Sequence, residues 1–393
     1  MLNSLKVLFR NSAIKISNKY FQLKKNPAEG KKLLILRMDA IGDYILFRNF
    51  IESIKKSDKY KEYSITLAGN EIWKNLAETF DKEFTDKFIW INKTRIKQKA
   101  EWRYRLKILK EIRKQRFELL IIPNDTSSKL VKDIKKHSGI RNVIEQKSDS
   151  VYLFEDIKTA LRGDYYGKDH REYLMTFFQF YRNKRYIEKV LNEKLSISKP
   201  YFKLKREKQK RDYVVIFPGA GFKARAWDAK NFGKVCMKIS EITDLDIIVC
   251  GNNYDRIAAK IIIEESGNSN IKDMTGKTSL AELINLIANA KLLISNETCA
   301  VHIAVSTDTN AICISNGNHI GRFNPYPAEI SDLAETIYPA EVTEKFSRFP
   351  ELINEYHLLS HVNINSIDPE DVMAKAEKYL IKNSKKKYSD EKL

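Results

Sequence analysis

The chain of 393 residues has only four cysteines, Cys236, Cys250, Cys299 and Cys313, and no two of them form a CxxC pair. That spacing argues against a zinc site or a disulfide framework and leaves reduced cytosolic thiols as the simple reading. No run approaches the roughly 20 apolar residues that span a bilayer. The first residues lack a continuous apolar core and a cleavage site, so no secretory leader is expected. A Walker GxxxxGK[ST] loop is absent. So is GxGxxG, because Ala224 stands where the third glycine after Gly219 and Gly221 belongs. That absence counts against an NAD-type dehydrogenase. There is no short internal repeat. Acidic residues are the scarcer charge: Lys+Arg 70 against Asp+Glu 51 gives a net +19. Such an excess calls for an anionic partner, either a phosphorylated substrate or an anionic membrane surface. Nucleic acid fits less well, because the aromatic interleaving of an RNA-binding module is missing.

What is present is an alternation of short apolar runs and amphipathic stretches. LLILR (Leu33–Arg37), YSITLAG (Tyr63–Gly69), FIWI (Phe88–Ile91) and FELLIIP (Phe117–Pro123) read as buried parallel strands. Between them, Tyr44–Lys56, Glu71–Phe80 and the basic stretch Thr94–Gln115 read as helices. Gly139–Asp169 reads as loops, and His170–Leu195 as mostly helix. Ser196–Asp212 is charged and polar, the best candidate for a solvated hinge. The alternation then restarts. YVVIF, DIIVCGN, KLLISN and NAICISNGN are strands, and helices are expected at Ala229–Ile242, Tyr254–Ser266 and Ser279–Ala290. A last helix lies within Ile367–Lys382 and is capped by Asp368. This is an α/β chain of two halves, each with a parallel sheet. Ligands in such sheets bind at the carboxyl ends of the strands.

Several turns at those ends carry chemistry. SNETCAVHIA (Ser295–Ala304) takes a strand into a helix, where Thr298, Cys299 and Ala300 present backbone N–H groups suited to a diphosphate. Plain helix capping by Asn296 or Thr298 explains the same residues. FPGAGFKARAW (Phe217–Trp227) places Gly219, Gly221, Lys223 and Arg225 after a strand, a Gly-rich turn with two cations that suits phosphate. MDAIGD (Met38–Asp43) offers Asp39 and Asp43. A carboxylate there suits a general base, with Gly42 allowing close approach of a ligand. For Asp39 a helix cap is the simpler role. His302 either supports the SNETCA turn or is a core histidine. The stretch from Arg95 to Arg116, with Arg103 on it, suits an anionic acceptor or lipid, or is a solvated face. Arg322 lies in the Gly/Asn/Pro-rich loop after the last core strand. At the N-terminus, Leu2, Leu5, Leu8, Phe9 and Ile16 alternate with lysine and arginine. That pattern fits an amphipathic helix on a membrane or one packed on the domain.

Taken in order, four segments resemble glycosyltransferase family 9, the heptosyltransferase family of lipopolysaccharide assembly. They are LLILRMDAIGD, VVIFPGAGFKARAWDAKNF, DMTGKTSLAELINLIANAKLLISNETCAVHIA and IDPEDVMAKAEKYL. The resemblance implies the α/β GT-B fold, two Rossmann-like domains facing across a cleft. The acceptor-side domain would span 31–205 and the nucleotide-sugar domain 206–382. A basic amphipathic extension, 1–30, and a disordered tail, 383–393, would flank them. It implies an inverting transfer without metal or other cofactor, from a nucleotide-diphosphate sugar such as ADP-heptose. The acceptor would be lipopolysaccharide or a related lipid-linked or phosphorylated glycan. The place would be the cytoplasm, peripheral on the inner face of the cytoplasmic membrane.

By position, Asp43 would be the general base. Lys223 and Arg225 would hold the diphosphate together with Thr298, Cys299 and Ala300. Gly219, Gly221, Asp255, Lys277, Thr278, Glu297 and His302 would line the nucleoside and sugar. Gly42, Arg103 and Arg322 would stand on the acceptor side. Two positions depart from the family: Glu297 where Asp is usual and Cys299 where Gly is usual. They leave the donor sugar open. A UDP- or GDP-sugar transferase for O-antigen or capsule is one alternative. A non-catalytic phosphoglycan- or membrane-binding protein is the other.

Overall fold

The computed structural model describes residues 26–97, 102–123, 129–146, 177–204, 213–348, 352, 355–356 and 359–380. The amphipathic N-terminal stretch up to residue 25, the charged segment 205–212 and the tail from 381 lie outside the described residues, as does 147–176. The chain divides into two compact units. One comprises Met1–Tyr44, Arg48–Glu155 and Asn183–Leu195, the other Ile45–Phe47, Asp156–Arg182 and Ser196–Leu393. Among the described residues, no helix is long and apolar enough to cross a membrane.

The first unit holds β1 (Lys32–Arg37), β2 (Ser64–Asn70), β3 (Lys87–Ile91), β4 (Leu119–Ile122) and β5 (Asn142–Glu145) in the order β3-β2-β1-β4-β5. Every pairing is parallel; β1 meets β2 with Leu33 opposite Ile65, and β4 with Leu33 opposite Leu119. Leu33, Leu34, Ile35 and Leu36 are all fully buried, as a strand covered on both faces requires. The single helix expected over Tyr44–Lys56 is two, Ile41–Ile45 and Asn49–Lys56. The break coincides with Arg48, which turns inward to pair with buried Asp81 at 2.7 Å. The Tyr44 hydroxyl donates to the same carboxylate at 2.7 Å.

Tyr44 also stacks on Trp73, with ring centroids 3.9 Å apart and planes within 2° of parallel. Gly69 makes room for that indole, because a Cβ there would lie 1.8 Å from the ring. Gly69→Ala is therefore expected to destabilise the protein by about 1–3 kcal/mol, the usual cost of overpacking. A melting temperature equal to the parent's would contradict this packing.

β5 stands where loops were expected. It is a four-residue, half-buried edge strand with little apolar signal, and the Tyr186 hydroxyl holds it by donating to Ile144 O at 2.8 Å. The basic stretch expected as one helix is described as Lys93–Lys97 and Trp102–Gln115, with 98–101 outside the described residues. Part of its charge is structural. Arg105 pairs with Asp133, and buried Arg113 donates to His137 O at 2.8 Å.

In the second unit, β6 (Tyr213–Phe217), β7 (Asp246–Val249), β8 (Lys272–Asp273), β9 (Leu292–Asn296), β10 (Ala311–Ile314) and β11 (Ala334–Ile337) run parallel in the order β11-β10-β9-β6-β7-β8. The core gathers Trp227, Phe232, Ile239, Ile262, Ile294 and Val372 from strands and helices alike. Helix Ala229–Ile242 starts from Asp228, whose side chain accepts from Lys230 N, and the closing helix Pro369–Leu380 starts from Asp368, which accepts from Glu370 N at 2.9 Å. β8 and β11 were not foreseen; both are short and mostly half-buried, so neither shows a buried apolar run. The described part of the expected hinge, Ser196–Leu204, does not stand free in solvent. Phe202 is buried and its N–H bonds Ser306 O at 3.0 Å, while Lys199 pairs with Asp308. Both sheets reverse their strand order at a central pair, β1/β4 in one and β6/β9 in the other. Such reversals are where open α/β sheets bind ligands.

Candidate functional site

In the second unit the turns after β6 and β9 are joined by Asn296, the last residue of β9. Its Nδ2 donates to Pro218 O at 2.7 Å, and its Oδ1 accepts from Trp227 N at 3.1 Å. A buried amide thus ties both ends of the PGAGFKAR loop to the SNETCA turn. In the sequence Asn296 reads as a cap; the signal for this second role is a polar residue closing an apolar strand. Thr298 takes the capping role, accepting from Ala300 N at 3.2 Å, with Ser295 Oγ 3.1 Å from its hydroxyl. Helix Cys299–Ser306 begins there, with Cys299 half-buried and Ala300 buried. Burial pushes the Cys299 thiol up to about 12, so it is neutral at physiological pH. All four cysteines are free of disulfides.

Arg225 closes the other side of this turn. Its Nη1 lies 3.7 Å from Glu297 Oε1, and its guanidinium carbon lies 5.3 Å from the centroid of the exposed Phe222 ring. A Cβ on Gly221 would stand 2.7 Å from Arg225 Nη2, so the glycine admits the guanidinium. Arg225 Nε is buried without a hydrogen-bond partner among the described residues. A planar cation held by one loose ion pair, beside a helix N-terminus, is suited to take an anion. Lys223 shares its short 3-10 turn.

Glu297 is 8% exposed and accepts from Ser315 Oγ at 2.9 Å. Burial pushes its carboxyl up from 4.5 to about 7, although Arg225 and hydrogen bonds from Ser315 and Asn324 pull the other way. A folded value above the unfolded one means that this contribution to stability is full below about 4.5 and lost as pH rises to about 7. Glu297→Gln removes the titration. Its stability relative to the parent should rise across that window, by roughly 1.4 kcal/mol for each unit of the shift. Melting curves of the pair at several pH values check this, and a constant difference would contradict it.

Asp255 sits in a notch between two strand ends: a Cβ on Gly219 or on Gly251 would lie 2.7 or 2.5 Å from its Oδ2. The same oxygen accepts from Asn252 N at 2.7 Å in a capping box. Burial raises the Asp255 carboxyl against that bond. Lys277 donates to Asp273 O at 2.5 Å on an exposed turn, and half-buried Thr278 follows it. Gly276 N reaches Gly251 O at 2.8 Å, so the turns after β7 and β8 adjoin. His302 is a core histidine by placement. It is 7% exposed, its Nδ1 lies 2.5 Å from the Tyr326 hydroxyl, and Phe323 packs nearby. Arg322 donates from Nε to Gln179 Oε1 at 2.9 Å, which ties its loop to the start of helix Gln179–Leu191.

In the first unit, Gly42 and Asp43 lie in helix Ile41–Ile45 immediately after β1, both half-buried. Asp39, expected as a cap for that helix, is engaged by a side chain upstream of it. It forms a two-point pair with Arg37, through Nε–Oδ1 at 3.1 Å and Nη2–Oδ2 at 2.8 Å. A fully buried guanidinium at the end of β1 demands a countercharge, and Asp39 is within reach. Arg103 is exposed on helix Trp102–Gln115 against the Trp102 ring.

Two parallel-sheet α/β units of Rossmann order define the GT-B class of fold. Residues 105–352 match the model of glycosyltransferase family 9 (heptosyltransferase), more than half of the chain, and the chain belongs to that family. It is 26% identical over 170 residues to lipooligosaccharide heptosyltransferase 2 of Campylobacter jejuni, a match covering 42% of this chain and 50% of that protein. The chain therefore spans about half the length of this curated relative. A family 9 glycosyltransferase from Veillonella parvula superposes with TM-score 0.64 at 15% identity, over 90% of this chain and 98% of that one. The E. coli ADP-heptose lipopolysaccharide heptosyltransferase II gives TM-score 0.60 at 15% identity, over 89% and 98% of the two chains.

Proposed function

We propose that this chain moves a heptose from ADP-heptose onto a lipopolysaccharide or related cell-surface glycan acceptor, with inversion and without a metal. The observation that carries the reading is the cluster at the β6/β9 reversal. There a Gly-rich turn, Arg225 and a helix N-terminus are held together through Asn296. Family membership and the names of the relatives support heptose as the sugar.

In this reading the helix N-terminus, Arg225 and Lys223 bind the diphosphate, and Asp255 reads a ribose hydroxyl. Lys277 and Thr278 border the base. As the anomeric bond opens through an oxocarbenium-like state, negative charge gathers on the departing diphosphate. Fixed donors and cations stabilise that charge without reorganising. The acceptor oxygen attacks the opposite face of the sugar, and Asp43 takes its proton. The reaction is placed in the cytoplasm, on the inner face of the cytoplasmic membrane. The net charge of +19 supports attraction to an anionic surface.

A thermal-shift panel tests the donor assignment. ADP-heptose should raise the melting temperature, UDP- and GDP-sugars should not, and a chelator should leave transfer unchanged. Stabilisation by a UDP- or GDP-sugar alone would move the function to O-antigen or capsule synthesis. Failure of every nucleotide sugar to bind would remove the transferase reading.

A further inference from the structure

We infer that Arg37 and Asp39 act together as positioning residues for Asp43, fixing the turn that carries the general base. The inference rests on the proposed transfer reaction. Arg37 ends β1 and is fully buried. The Nη2 that bonds the Asp39 carboxylate also donates to the backbone oxygen of Asp43 at 3.1 Å. One planar group therefore ties the residue before the turn to the backbone of Asp43 itself. Asp39 is anchored a second time through its own carbonyl, which accepts from Asn70 Nδ2 at 3.1 Å and Trp73 Nε1 at 3.3 Å. On the other side of Asp43, Tyr44 is held by the Trp73 stack and by Asp81. The carbonyl of Asp43 and the residue that follows it thus have fixed partners.

Stability alone does not account for this pair. A buried ion pair is seldom better than apolar packing of similar volume, and β1 is otherwise apolar. Its cost is visible in Asp39. Burial pushes that carboxyl up to about 6, the charge of Asp43 adds to the push, and Arg37 opposes it. Arg37 and Asp43 are charged groups that face Asp39, and Arg48 and Asp81 form the neighbouring pair beneath Tyr44. The pair lies at the β1/β4 reversal, where a ligand site is expected. As Asp39 takes a proton, the two-point contact loses its charge and its hold on the turn weakens.

The test is the pH profile of kcat for transfer from ADP-heptose by the full chain. The parent should lose kcat on the acid side as Asp39, whose carboxyl burial raises, takes a proton. Asp39→Asn keeps the shape and removes the charge. It should lower kcat by about 10- to 100-fold, the scale of a misplaced catalytic group, and move the acid limb to lower pH, leaving that of Asp43 itself. ADP affinity should not change. Asp39→Glu, which keeps the charge, should recover much of kcat and restore a pH-dependent fall. Wild-type kcat in Asp39→Asn, or an unmoved acid limb, overturns the inference. So does a lower melting temperature with kcat per folded molecule unchanged in both variants. Absence of transfer by the parent chain removes the reaction itself and this inference with it.

Discussion

Asp43→Asn is expected to reduce transfer by about 10²–10⁴-fold, the contribution of a positioned general base. The amide keeps the size of the side chain and cannot accept the proton. Asp43 lies in the first turn of helix Ile41–Ile45, directly after the central strand β1, and its backbone oxygen is bonded to Arg37. The substitution therefore leaves the turn intact, and ADP affinity should match the parent's. Steady-state transfer and calorimetric ADP binding on the same preparation separate the two effects. Parallel loss of binding and transfer would point to a folding defect. Unchanged transfer would favour a non-catalytic binding protein.

The second large effect is on the donor. Arg225→Met should weaken ADP binding by roughly 10- to 150-fold, because a hydrogen bond to a charged group is worth about 1.5–3 kcal/mol. Arg225 is suited to bind phosphate because, among the described residues, its ionic partner Glu297 stands 3.7 Å away and its Nε lacks a hydrogen-bond partner. Arg225→Lys should recover part of the affinity, since it keeps the charge but loses the planar two-point geometry. The affinity gap between parent and Arg225→Met should narrow as salt is added. ADP affinity unchanged in Arg225→Met would place the diphosphate elsewhere.

The strands at the heart of each sheet were legible because they are buried on both faces. LLILR, LLII, YVVIF and LLISN read as continuous apolar runs, and β1, β4, β6 and β9 lie there. β5, β8 and β11 were not legible; they are edge strands of four, two and four residues without such a run. The break at Arg48 was hidden because helical periodicity continues across it. Its pairing with Asp81, 33 positions away, accounts for the inward turn.

The candidate site divides in the same way. Glycines, cations and caps after strands can be seen in sequence, since local backbone demands set them. What Asn296 holds together, and the bond from Ser315 to Glu297, span 78 and 18 positions and needed the fold. His302 shows the opposite case. Its place one turn into the helix suited either a ligand or the core, and its neighbours Tyr326 and Phe323 lie in a loop beyond the next strand, 24 and 21 positions along the chain. Asp39 looked like a cap because an acid before a helix commonly is one. That it also pairs with a buried arginine two residues upstream, which needs a countercharge, was not legible from its position.

The central claim is transfer of a heptose from ADP-heptose, and a direct assay tests it. The purified chain is incubated with ADP-heptose and a lipopolysaccharide-type acceptor, with ADP release and acceptor mass followed together. The account predicts one ADP released for each heptose gained by the acceptor, with inverted anomeric configuration in the product. ADP release without gain of mass, or transfer only from a UDP- or GDP-sugar, would contradict it.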